Sequence, residues 1–192
     1  MKKILIGTHN RGKFKEIAYL LSKKLKKISP ITLKIKSPKE TGKSFSSNSK
    51  LKVKYFSKFV NYSVISDDSG LCIEALKNKP GVHSARFAKK HGSFFKAMKF
   101  ILKKMKKKKN RRAIFICNLS YKDIGKKIVT VEGRLKGKIS EKILGQKGFG
   151  YDPIFIPIKK KITFGQMSKL KKIKMDHRSI AFKKLKKRIR IL

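Results

Sequence analysis

Short apolar runs alternate with stretches of helical periodicity along this chain, and that alternation constrains the fold more than any other feature. KILIG at 3–7 reads as a short buried strand, and THNRGK follows as a loop. Residues 14–25 then place Phe14, Ile17, Ala18, Leu20, Leu21 and Leu25 at helical spacing. Further strands are expected at 31–35, 62–66, 70–75, 112–121 and 127–135, the last two as hairpin partners. IFIPI reads as an edge strand, because proline cannot donate to a ladder. Helices are expected at 44–60, at 94–105 and from Ser168 onward, while NKPGVHSARFA and GQKGFGYDP read as loops. Strands interleaved with helices, without a repeat or a long linker, predict an α/β fold in a single domain over 1–192.

Charge is the second constraint. There are 54 Lys and Arg against 10 Asp and Glu, a formal net charge of +44. Taken alone, this points to nucleic acid or an anionic surface. Yet Lys is spread through nearly every segment, with four in a row only at Lys106–Lys109, which also fits compositional drift toward surface lysine. Non-specific nucleic-acid binding is therefore one reading of the partner, and the placement of charge on the folded surface separates it from the alternative. Cys72 and Cys117 lie far apart in apolar runs without a CxxC, the pattern of buried reduced thiols and of a cytoplasmic protein. The first apolar run is too short for a signal peptide, and no stretch approaches the ~20 residues that span a bilayer.

Four stretches carry chemistry. THNRGK lies between a buried strand and a helix start, where backbone N–H groups are available to an anion, with Thr8, Asn10 and Lys13 as side-chain partners. An ordinary glycine turn with a capping Asn10 would look the same. Asp67 and Asp68 stand side by side after a strand in a chain almost without acid. Two such carboxylates hold Mg²⁺ or activate water, or else cap a turn. Successive side chains on a strand diverge, so the two need not share a role. FGYDP at 149–153 offers aromatics and a glycine against which a base can stack, or a tight turn with core rings. MDHRSIAF places His177 and Arg178 at the start of an apolar helix that Asp176 could cap. His9, His83 and His91 share no metal-ligand spacing.

Together these stretches resemble the inosine/xanthosine triphosphate pyrophosphatases, enzymes that hydrolyse non-standard purine nucleoside triphosphates. The resemblance rests on THNRGK at 8–13, SFSSNSKLK at 44–52, DDSG at 67–70, PGVHSARFA at 80–88, GFGYDPIF at 148–155, FGQMS at 164–168 and His177–Arg178, in family order along nearly the whole chain. It implies an elongated two-lobed α/β fold with a central mixed sheet and the active site in the groove between lobes. It also implies a homodimer, a purine nucleoside triphosphate substrate and Mg²⁺. Asp68 corresponds to the family's metal-binding catalytic acid, with Asp67 supporting it and Ser69 touching substrate. Thr8, His9, Asn10, Arg11, Gly12 and Lys13 correspond to the triphosphate loop. Phe149, Gly150, Tyr151, Asp152, Lys172, His177 and Arg178 correspond to nucleotide-binding positions, with Arg178 expected at the keto oxygen of the base. Four positions depart from the family pattern: His9 for glycine, Lys39 for a metal-site glutamate with Glu40 beside it, Ser47 for glutamate, and Asp176 for serine.

Overall fold

A computed structural model describes residues 1–189. Among them a mixed sheet of seven strands runs in the order β2-β1-β3-β5-β6-β7, with β4 paired to β3. The strands are β1 (Lys3–Ile6), β2 (Lys26–Ile28), β3 (Ser63–Ile73), β4 (Lys79–Pro80), β5 (Arg112–Lys122), β6 (Val129–Ile139) and β7 (Phe155–Pro157). The helices are α1 (Arg11–Leu20), α2 (Phe45–Phe56), α3 (Ser84–Lys90), α4 (Phe94–Met105), α5 (Lys169–Ile173) and α6 (His177–Arg188). The α/β class, the edge position of β7 and the adjacency of β5 and β6 agree with the sequence reading. None of the described helices is long and apolar enough to cross a membrane.

The chain divides into two compact units. The first comprises Met1–Asp68, Cys117–Gly133 and the described residues from Arg178 onward; the second comprises Ser69–Ile116 and Arg134–His177. In the first unit β1 pairs in parallel with both β2 and β3, Ile4 standing opposite Lys27 and Ser63. Because strand side chains alternate, the sheet offers two different faces. Ile4, Ile6 and Ile65 pack with Ile17 of α1 and with Ala181, Phe182 and Leu185 of α6. Leu5 and Val64 point the other way, onto Val53 and Phe56 of α2. At the end of β1, a side chain on Gly7 would run into Ser66 and the Phe56 ring, so only glycine fits there. The second unit is centred on an aromatic cluster in which Phe115 lies 4.4 Å from Phe155 and stacks at 4.8 Å on His177. The outer face of α4 is solvated, while Ala97, Met98, Ile101 and Met105 bury its inner face.

Several local expectations are corrected. The helix expected at 14–25 starts at Arg11, because the Asn10 side chain caps it by accepting from the Lys13 N–H, and it ends at Leu20. The strand expected at 31–35 is a turn: Pro30 initiates it, Ile35 N–H donates to Pro30 O, and the neighbouring strand is instead Lys26–Ile28. The helix expected at 44–60 covers only Phe45–Phe56, and Ser47 closes a capping box with Ser44. The strands expected at 62–66 and 70–75 are one strand, so the acid pair lies mid-strand rather than in a turn. Part of the loop expected at 78–88 is helix α3. The cysteines are buried, reduced thiols.

Candidate active site

The continuity of β3 decides what its two acids meet. Asp67 shares the face of Ile65 and is directed toward α1 and α6; Asp68 shares the face of Val64 and is directed toward α2. Asp67 is fully buried, and its Oδ2 lies 3.3 Å from Lys13 Nζ and accepts from Arg178 Nε at 3.1 Å. Arg178 is itself 1% exposed and also pairs through Nη1 with buried Glu16. Burial alone would push the Asp67 carboxyl upward. The charges of Lys13, Arg178 and Lys52 outweigh it and hold the group far below the usual aspartate range. Asp67 is thus held as an anion among cations near neutral pH. Its Oδ1 is buried without a hydrogen-bond partner among the described residues.

Asp68 has the opposite electrostatics. Its Oδ2 accepts from Asn48 Nδ2 at 3.0 Å, and its Oδ1 lies 4.0 Å from Lys52 Nζ. Burial raises its carboxyl above the ordinary range, against the pull of Lys52 and Lys13 and with the help of nearby Glu40. The KETG loop is tied to the same place. Gly42 N–H donates to Asn48 Oδ1 at 2.8 Å, and Lys52 Nζ donates to Glu40 Oε1 at 2.7 Å. Lys39 is exposed. Lys52 keeps its proton more firmly than usual: burial works against the charge, but Asp67, Asp68 and Glu40 together prevail. Two carboxylates, Glu40 and Asp68, therefore lie within reach of one cation, here the ammonium of Lys52.

The triphosphate loop expected at 8–13 is in part the first turn of α1. Thr8 is buried and accepts from the Asn10 N–H at 3.2 Å. The His9 ring contacts the Ile35 carbonyl through Nε2 at 2.9 Å. Arg11 and Gly12 open the helix, whose first N–H groups lack intrahelical acceptors by construction. Lys13 completes that first turn, its side chain 16% exposed beside Asp67. Ser69 continues β3 into the second unit.

In the second unit, Asp152 organises the glycine-rich loop. Its Oδ2 accepts from the Phe149 N–H at 2.8 Å and from Lys172 Nζ at 2.5 Å. Lys172 also lies 4.5 Å from the centre of the Phe149 ring, an ion pair and a cation–π contact sharing one ammonium. Gly148 and Gly150 have positive φ, and a side chain on Gly148 would strike the Asp152 carboxylate. Tyr151 is buried, donates its hydroxyl to the Ser84 carbonyl at 2.8 Å and sets its ring edge against Phe94, so it fastens the loop to α3 and α4. Phe149, Asp152 and Lys172 are brought together, and His177 is held on Phe115.

Sequence reasoning did not single out Lys52, Asn48 or Glu16. Acid scarcity was the available signal for Glu16. Asn48 and Lys52 lay inside SFSSNSKLK, at positions four apart that one turn of helix brings onto a common face.

Comparison with known proteins places these features in context. Residues 4–188 match the Ham1 family. A protein of Dictyoglomus thermophilum named dITP/XTP pyrophosphatase is 40% identical over 191 residues, covering 95% of this chain and 92% of its own. One of Bacillus subtilis with the same name is 39% identical, covering 97% and 96%. Among solved structures, the Staphylococcus aureus Ham1 protein superimposes with a TM-score of 0.85 at 33% identity, over 97% of each chain.

Proposed function

Because this chain belongs to the Ham1 family, we propose that it hydrolyses non-standard purine nucleoside triphosphates, dITP, ITP and XTP, to the monophosphate and pyrophosphate. The observation that carries the reading is the division of labour in β3: Asp67 is fixed as an anion in an ion-pair network, and Asp68 is a carboxyl of raised proton affinity beside Lys52 and Glu40. The names of the relatives supply the substrate class.

In this reaction a water oxygen bonds to the α-phosphorus while the α–β anhydride bond breaks, and pyrophosphate leaves with the electron pair. Asp68 orients the water and takes its proton, which its raised proton affinity favours. The side chains of Lys13 and Lys52, with the first N–H groups of α1, neutralise the phosphates. The donor set near Asp68 suits a hard cation. Mg²⁺ is commonly held by one or two carboxylates and substrate phosphates, and Asp68 and Glu40 are the carboxylates that would hold it. When bound, the ion would supply charge neutralisation at the phosphates. In the second unit, the Phe149 ring is proposed to stack on the base, with Lys172 and Asp152 beside the ring, and His177, which stacks on Phe115, as a further contact to the nucleotide. The proposal extends to a homodimer in the cytoplasm, which light scattering and fractionation test. The deciding assay is pyrophosphate release from dITP and XTP with Mg²⁺, against dATP and dGTP. Equal rates on all four would refute the selectivity, and no release from any would refute the activity.

Lys13→Ala should weaken triphosphate binding by about tenfold or more, the scale of a lost charged hydrogen bond, and monophosphate binding by less. Equal weakening in titration calorimetry would put Lys13 away from the β- and γ-phosphates.

Arg178 is proposed to read the 6-keto oxygen, since a guanidinium donates but cannot accept. It also holds Asp67 and Glu16 in place. Arg178→Ala should lower stability and narrow the dITP-to-dATP ratio of kcat/KM by about tenfold. A ratio that stays constant while stability falls would reduce Arg178 to an anchor for Asp67.

A further inference from the structure

No acid occurs between Glu74 and Asp123, an interval that contains all of α3 and α4. Within 84–109 there are eleven Lys and Arg, every one exposed. Two phenylalanines stand among them on the outer face of α4, Phe95 at 51% and Phe100 at 39% exposure. Each ring has a lysine one helical turn on: Lys99 Nζ is 4.7 Å from the Phe95 centroid and Lys104 Nζ is 5.6 Å from that of Phe100. The end of α3 adds a second layer, with the His91 ring 4.5 Å and the Phe87 ring 5.9 Å from Phe100.

We infer that the outer face of α4, with the end of α3, docks single-stranded nucleic acid. The lysines are opposite in charge to a phosphate backbone, and exposed rings give unpaired bases a surface to stack on. A duplex has its bases already stacked and offers the rings nothing. A lipid surface fits less well. An interfacial helix turns its apolar face to the acyl chains, whereas the apolar face of α4 is buried in the protein and the outer face sets two rings among four lysines, Lys96, Lys99, Lys103 and Lys104. Uniform surface lysine would explain the charge, but it does not explain rings held between the charges.

The test is fluorescence anisotropy of the full chain with a labelled oligouridylate of about twelve nucleotides, within the site size of known single-strand binders. Phe95→Ala with Phe100→Ala, which leaves the charge intact, should weaken binding by at least about tenfold. Lys99→Ala with Lys103→Ala should flatten the dependence of log affinity on log salt by about 0.7 per lost contact. Lys23→Ala with Lys24→Ala removes the same charge elsewhere and should do neither. The inference is overturned if the two lysine pairs behave alike and the phenylalanine pair has no effect, which would mean diffuse charge. It is equally overturned if a duplex of the same length binds as tightly, if phosphatidylserine-containing vesicles are preferred, or if the phenylalanine pair dissociates a dimer, placing this face between copies. Pyrophosphate release should be unchanged in all three variants.

Discussion

Asp68→Asn should abolish pyrophosphate release, by on the order of 10³-fold or more, the combined scale of a lost general base and a lost charge at a phosphate site. The same substitution should leave folding nearly untouched. Burial already disfavours the charged form of this carboxyl. With its proton affinity raised in the folded state, ionising Asp68 costs stability, and that cost grows as pH rises from the ordinary aspartate value through the raised one. Asparagine removes the cost and keeps the shape. Lys52 retains Glu40 at 2.7 Å, and the change in unfolding free energy should stay within about 1 kcal/mol. Product formation followed by pyrophosphate detection, with urea unfolding alongside, separates the two quantities. Activity within about tenfold of the parent would show that the chemistry is centred elsewhere.

Asp67→Asn should do the reverse first. It removes the anion that answers Lys13 and Arg178 inside the protein. Breaking one partner out of a buried ion network costs about 3–5 kcal/mol, because the remaining charges are left uncompensated. The pH dependence has a definite sign. The folded-state affinity of Asp67 for a proton is depressed, so its stabilisation is fully present above the ordinary value of 3.8 and is lost as pH falls below it. The stability gap between parent and variant should therefore be flat near neutrality and close only in acid, read by urea unfolding across a pH series. A gap that opens below neutrality, or an unfolding curve that matches the parent, would show that Asp67 is not the keystone of the network.

Much of the site was legible because it is written in short motifs whose residues stay close in sequence. Asn10–Lys13 and Phe149–Asp152 each close their own hydrogen bonds within three residues. Several of the few acids of this chain are found beside cations. Glu16, Glu40, Asp67, Glu74 and Asp152 each meet a cation. What was hidden depends on the fold. β2 is Lys-Lys-Ile, which has no apolar signature and becomes a strand only beside β1. DDSG has the composition of a turn, yet the sheet carries it through as strand, an instance of tertiary context overriding propensity. Lys52, like Lys172, differs from the surface lysines only through its burial and its acidic neighbours, neither of which composition can reveal in a chain this rich in lysine.

The alternation of β3 gives the strand a parity. Even positions Val64, Ser66 and Asp68 belong to the α2 side, and odd positions Ile65 and Asp67 to the α1–α6 side. The two aspartates are chemically identical, so nothing but counting distinguishes the anchor from the reactive group. Inserting or deleting one residue upstream within the strand would exchange their jobs and turn every apolar neighbour to the wrong side. An indel scan across 63–68 should therefore find a sharper boundary of tolerance than any scan of substitutions at the surrounding positions.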